Sequence, residues 1–240
     1  MSRPIYRYLA ERKWRARRRP LIMQRITQMS VIPDVLPHLD PSADVGLAFG
    51  RGDVPAGAFV PSRVSAHPPT KISAQLFQPG ERLVTLAVVD ADVPDLARDA
   101  FDTRCHYLVA NVPLSATAPT VQPRQLPARH VVHAWLPPTA HKGAPYHRLA
   151  VIVLEQREGR AVDVEAVREK EPRLGFSMRA FVDRHRMTPI GAHMFRTQWD
   201  EGMDKVMMDI GESAVEVELR RRPIEPLPYK KKDGARYRGG

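Results

Sequence analysis

Leu83-Val84-Thr85-Leu86-Ala87-Val88-Val89-Asp90-Ala91-Asp92-Val93-Pro94 is the stretch that decides the fold. It begins as a long apolar run, the pattern of a strand buried on both faces. It ends in two carboxylates one residue apart, then a proline. Side chains alternate along a strand, so Asp90 and Asp92 point the same way if the strand persists through them. Pro94 lacks a backbone donor and is expected to stop the ladder. Two acids at the end of a core strand are costly unless they are solvated, hydrogen-bonded or facing a ligand. Read alone, they are also ordinary turn residues.

Working outward, Cys105 to Pro113 reads as another strand, with His106 near its start. Val131 to Leu136 is a strand closed by Pro137-Pro138, and Tyr146 to Gln156 is a second long core strand with His147 at its head. Shorter strands are expected at Val45 to Phe49, Ala58 to Val60 and Ile72 to Phe77, divided by Gly and Pro turns. Leu114 to Arg129, small residues and prolines, reads as a surface loop. Arg51-Gly52-Asp53 reads as a tight turn. Gly50 and Gly52 do not open a dinucleotide loop, because Pro55 stands where the third glycine belongs. Later in the chain the spacing predicts helices over 163–170, from Ser177, and from Asp200 to Ile210, with a strand over 188–199. Two histidines and two acids at the ends of long apolar strands point to a shared pocket.

The composition sets bounds. Twenty-three prolines in 240 residues argue for a loop-rich β protein rather than a helical bundle. No apolar run approaches the roughly 20 residues of a membrane span. The single cysteine, Cys105, excludes an internal disulfide and a cysteine-based zinc cluster. The net charge of +10 sits at the ends: residues 1–33 carry nine Lys/Arg and one acid, and residues 215–240 eight Lys/Arg and four acids. The body between them holds twenty Lys/Arg and twenty-two acids and is close to neutral. Basic arms on a neutral body suit a polyanion, because each phosphate neutralised releases condensed counterions.

In the first arm Pro4 suits a helix start, and Ser2 is a candidate cap. Helical spacing places Ile5, Tyr8, Leu9 and the Arg12/Lys13 turn on one side. Arg15, Arg17, Arg18 and Arg19 crowd the end before Pro20, expected to break the helix ahead of a second one over 21–29. An Arg-rich, acid-poor start is also the composition of a mitochondrial presequence. This one is serine-poor and runs on into ordered-looking sequence. It reads as a structural arm that lies on a partner.

These pieces, in this order, resemble the phosphatidylethanolamine-binding protein family. Asp90-Ala91-Asp92-Val93-Pro94 is similar to its Asp-Pro-Asp-x-Pro motif. His106 to Asn111 resembles its His-x-x-x-x-Asn strand, and Pro137-Pro138 through His147-Arg148 its Pro-Pro…Gly-x-x-x-His-Arg segment. Leu149 to Gln156 resembles its apolar strand ending in Glu-Gln, and Phe176 to Asp200 its C-terminal segment. The resemblance implies a mainly β protein, a sandwich of two sheets with peripheral helices, here carrying an N-terminal helical extension. It also implies a small anion pocket made by Asp90, Asp92, His106, Pro138 and His147. Ala91 in place of proline, the extra residues Thr139 to His141, Pro145, and Gly202 where an aromatic is usual depart from the pattern, mostly at the pocket rim.

Ordinary members are little more than the sandwich. The run Arg3 to Arg25, and Thr188 to Phe195, resemble fungal mitochondrial large-subunit ribosomal proteins that carry this fold. The implied organisation is a basic arm at 1–33, a linker at 34–44, the sandwich at 45–212 and a basic tail at 213–240. The implied role is a ribosome-bound structural protein of the mitochondrial matrix with rRNA and ribosomal-protein partners. It needs no cofactor, metal, membrane span or homo-oligomer. Arg7, Arg12, Lys13, Arg15, Arg17, Arg18 and Arg19 would be the RNA contacts, where charge binds and sequence is not read. Two rivals remain: a soluble binder of a phosphorylated or phospholipid head group, and an enzyme using Asp90, Asp92, His106 and His147 as metal ligands or acid and base. No activated nucleophile accompanies these four, so an enzyme is not expected.

Overall fold

The structure, a computed structural model, describes residues 2–95, 97–212 and 215–219. The chain opens with helices α1 (Pro4–Ala16) and α2 (Arg18–Gln28) and the single turn α3 (Val31–Asp34). Strands β1 (Ala43–Phe49) and β2 (Gly52–Val54), the turn α4 (Ser62–Ser65) and β3 (Lys71–Leu76) follow. Then come the long pair β4 (Glu81–Asp95) and β5 (Ala100–Ser115), the short β6 (Thr120–Val121) and β7 (Val131–His133), and β8 (His147–Glu155). Helices α5 (Val164–Lys170) and α6 (Met178–His185), strand β9 (Thr188–Thr197) and α7 (Met203–Asp209) complete the order.

The strands form two antiparallel sheets, β2-β1-β3-β6 and β7-β5-β4-β8-β9, with β4 at the centre of the larger. Val84, Leu86 and Val88 of β4 face the core between the sheets. Ala87 and Val89, on its other face, join a second core made with Ile26, Val31, Phe176 and Phe181 from the helical segments. The apolar run of β4 is therefore explained by three layers: sheet, sheet, helices.

Several expectations need correction. Pro94 does not end the ladder: Val93, Pro94 and Asp95 still pair with Asp102, Phe101 and Ala100 of β5. The neighbour on its other side, β8, stops pairing at Asp90, so Pro94 sits on an edge where its missing donor costs nothing. His106 accordingly lies well inside β5 rather than near its start. Pro20 breaks no helix: the chain turns at Arg17, and Pro20 falls in the first turn of α2, where no backbone donor is required. Arg3, not Ser2, caps α1, without a side-chain bond. Ala58 to Val60 makes only a single bridge, Phe59 to Arg196.

The arm is divided in its packing. Ile26 and Val31 are fully buried in the helix-side core, and Trp14 stacks on Phe77 at 5.0 Å. Val35, Leu36 and Leu39 are buried as well, so the segment read as a linker is packed rather than spanning open space. Ile5, Tyr8 and Leu9 are exposed on the outward side of α1.

Candidate functional site

Three of the five residues expected to form a pocket meet. Asp90, His106 and His147 are all buried. His147 Nδ1 donates to Asp90 Oδ2 at 2.7 Å, which leaves its Nε2 without a hydrogen-bond partner. His106 Nδ1 donates to the Leu136 carbonyl at 2.8 Å and turns Nε2 towards Asp90 Oδ2, 3.7 Å away. Burial alone would push the Asp90 carboxyl up, but the two imidazoles outweigh it and hold that carboxyl well below the usual range. Pro138 is buried.

Asp92 is not part of this group. β4 has an irregularity between Asp90 and Val93, and one extra residue reverses the alternation. Asp92 meets Arg148 instead. Its Oδ2 accepts from Arg148 Nε at 2.7 Å and backbone N at 2.8 Å, and its Oδ1 from Nη2 at 2.6 Å. Arg148 Nη1 also reaches Asp34 Oδ2 at 2.7 Å and the Met29 carbonyl at 2.9 Å. From sequence Arg148 stood only as a motif residue with no assigned role, although alternation along β8 puts it on the face opposite His147.

A cavity of about 210 Å³ opens beside His147, lined also by Thr139, His141, Arg104 and Glu212. Arg104 Nη1 and Glu212 Oε2 are 3.3 Å apart, so a carboxylate of the chain already sits at this guanidinium. Neither residue was singled out from sequence, because only the fold brings them together. The rim departures have structural consequences. Ala140 of the inserted Thr139–His141 packs on Met203 and Met207 of α7. A Cβ on Gly202 would stand 2.7 Å from Ser62 Oγ and 2.8 Å from Arg63 Cγ, so an aromatic side chain has no room there. Gly143 adopts φ +80° directly against the Leu219 carbonyl, and Leu219 N donates to the Lys142 carbonyl at 2.8 Å. The described part of the tail thus runs across the pocket loop; the rest of the basic tail expected at 213–240 lies outside the described residues.

Asn111 and Gln156, quoted above as motif residues, form a clasp. Gln156 Nε2 donates to Asn111 Oδ1 at 2.8 Å, and Asn111 N donates to Gln156 Oε1 at 2.9 Å. Val162 closes it through its backbone, so these residues serve the fold. Burial pushes the Cys105 thiol up to about 12, which leaves it an unreactive core residue. Among the described residues, no three His, Cys, Asp or Glu side chains are grouped to hold a metal ion. No described helix is long and apolar enough to cross a membrane.

Residues 51–195 match the family model described as phosphatidylethanolamine-binding protein. The chain belongs to the phosphatidylethanolamine-binding protein family. Among solved structures it resembles the phosphatidylethanolamine-binding protein of Plasmodium vivax, with a TM-score of 0.57 at 17% identity over 74% of this chain and 97% of that one. It also resembles carboxypeptidase Y inhibitor, solved in complex with its cognate proteinase, with a TM-score of 0.60 at 13% identity over 75% and 96%. At such identities these likenesses show the fold. The chain is 27% identical over 208 residues to large ribosomal subunit protein mL38 of Schizosaccharomyces pombe. That alignment covers 83% of this chain and spans 63% of the relative's length.

Outside the family domain, the arginines of the arm fall into two groups. Arg15 pairs with Glu11 at 2.8 Å, Arg18 with Asp44 at 2.9 Å and Arg19 with Asp40 at 2.5 Å. Arg7 Nη1 donates to the Ser2 carbonyl at 2.8 Å. Arg12, Lys13 and Arg17 are exposed and make no ion pair among the described residues. Of the four arginines crowding the end of α1, Arg15, Arg18 and Arg19 are paired within the chain and Arg17 makes no ion pair among the described residues. Two of the pairs were concealed because Asp40 and Asp44 are distant in the chain, whereas Arg15–Glu11 is an i,i+4 pair within α1.

Proposed function

We propose that this chain is a structural, non-enzymatic constituent of the mitochondrial large ribosomal subunit, held in the matrix on rRNA and neighbouring ribosomal proteins. One observation carries the reading: the likeness to the fission-yeast ribosomal protein covers 83% of the chain, more than the family domain at 51–195, so it reaches into the extensions. The charge distribution supports it. The basicity lies in the ends, and Arg12, Lys13 and Arg17 point no charge at a carboxylate of their own chain among the described residues.

The test is fluorescence anisotropy of the full chain with a structured rRNA fragment across a salt series. Changing Arg12, Lys13 and Arg17 to Gln should weaken binding and flatten the salt slope by roughly one unit for each phosphate no longer neutralised. Changing the self-paired Arg15, Arg18 and Arg19 should do less. Equal affinity and slope for all three proteins would overturn the arm as an RNA-binding element.

A second reading, a soluble binder of a phosphorylated head group, is favoured by the buried Asp90–His147 pair with an unpartnered Nε2 beside a cavity. Arg104, which would receive the anion, is already paired with Glu212. Titration with phosphoethanolamine tests this reading, and tight saturable binding would reverse the order of the two.

A further inference from the structure

A second cluster of chemistry-bearing side chains lies away from the Asp90 pocket. Arg196 lies over the Phe59 ring, 4.0 Å from its centroid, and 5.0 Å from that of Tyr146. The two rings meet edge-on at 5.9 Å. Phe59 is 45% exposed and Tyr146 39% exposed, so part of each ring faces solvent. The guanidinium is locked in place because Arg196 Nε donates to the Gly57 carbonyl at 2.7 Å. Arg25 of α2 borders the same turn: a Cβ built on Gly57 would stand 4.0 Å from its Cδ. Arg25 lines a cavity of about 330 Å³ between α2 and the sheet edge, walled by Leu21 and Ile22. Among the described residues neither Arg25 nor Arg196 has a carboxylate partner.

We infer that this strip binds an unpaired ribonucleotide of rRNA. The inference rests on the RNA reading above and names where on the body, rather than the arm, a base is held. Two unneutralised guanidiniums complement a phosphate. Two half-exposed rings, with a guanidinium held over them, offer stacking surfaces to a base, and every base has a π-face to stack regardless of sequence. An acidic peptide would satisfy the charges but leave the rings without a planar partner. The body is near neutral overall, so this strip supplies local capture where the arm supplies long-range attraction.

The test uses the full chain and a ten-nucleotide single-stranded RNA carrying one 2-aminopurine, whose fluorescence reports stacking. The wild type should bind with a change in that fluorescence. Phe59→Leu with Tyr146→Leu should abolish the change and weaken binding about 10-fold, with the salt slope kept. Arg25→Gln should flatten the slope by about one unit. The arm variant with Arg12, Lys13 and Arg17 changed to Gln should keep the 2-aminopurine response while losing affinity. Urea unfolding midpoints near that of the wild type should accompany each variant. If the arm variant loses binding and the aromatic variant does not, the strip is overturned and the RNA reading stands. If the wild type does not bind at all, both fall. If poly-glutamate of equal charge displaces the RNA from the strip as well as an unlabelled strand does, the strip belongs to a protein partner and the nucleotide assignment is wrong.

Discussion

Asp92 and Arg148 form a two-pronged ion pair, with oxygen-to-nitrogen distances of 2.6 and 2.7 Å, and the same guanidinium holds Asp34 and the Met29 carbonyl. A carboxylate read as a pocket ligand therefore fastens the extension to the sandwich. Arg148 is only 16% exposed and Asp92 19%, so solvent screens the pair weakly.

Arg148→Met should release that tie and leave Asp92 without its partner. The expected loss is about 2 kcal/mol in urea unfolding, with faster tryptic cleavage in the arm. Asp92→Asn should give a smaller loss in the same direction. Neither should alter the Asp90–His147 hydrogen bond, as read from the His147 ring protons by NMR.

Ile26 divides the arm into a part the fold needs and a part it does not. Ile26→Ala should cost about 2–5 kcal/mol, because the side chain is fully buried against the face of the large sheet. Removing residues 2–13 should cost far less, since Trp14 and everything inward of it remain. Thermal melts of the two proteins check this, and a body left intact by loss of residues 1–33 would contradict it.

The Arg104–Glu212 pair predicts a gain of function. Glu212→Gln removes the internal carboxylate from the mouth of the cavity beside His147. Phosphate binding, followed by isothermal titration, should become measurable or several-fold tighter. Unchanged binding would show that Glu212 does not guard the cavity.

His193 sets a pH dependence. Burial pushes its imidazole down to about 4, outweighing the hydrogen bond to Val54 that favours the charged ring. Its ordinary value is 6.5, so between about pH 6.5 and 4 the unfolded chain binds a proton that the folded chain refuses. Stability should therefore fall as pH drops through this window, by up to about 3 kcal/mol. His133, also pushed down mainly by burial, adds in the same direction. The Asp90 contribution has the acid sign and is lost only below about pH 4. Urea unfolding of His193→Gln at pH 7 and 5 should show a smaller difference between the two than the wild type does.

The apolar run of β4 disclosed a strand covered on both faces, and the order of short motifs disclosed the family fold. Asp90, His106 and His147 were legible because each ends or interrupts a long apolar strand. Asp92 misled because a bulge reverses alternation without leaving a mark in the sequence. Pro94 and Pro20 misled because a proline is harmless wherever its missing donor has no acceptor to meet, a matter of position in the fold. Arg104, Glu212, Asp40 and Asp44 act through partners far away in the chain, and Arg196 through rings brought to it by a single bridge. No local pattern encodes these meetings. Asn111 and Gln156 were seen as motif residues, but their purpose, a clasp of one side-chain and one backbone-to-side-chain hydrogen bond, appears only when β5 and the end of β8 are placed together.

The proposed role, a ribosomal component held by its basic extensions, is open to direct test. The most direct measurement is sucrose-gradient sedimentation of the tagged chain from a mitochondrial lysate, in low and in high salt. The tagged chain should co-sediment with the large subunit and be released only under dissociating conditions. A free pool at low molecular weight, with none in the ribosomal peak, would contradict it.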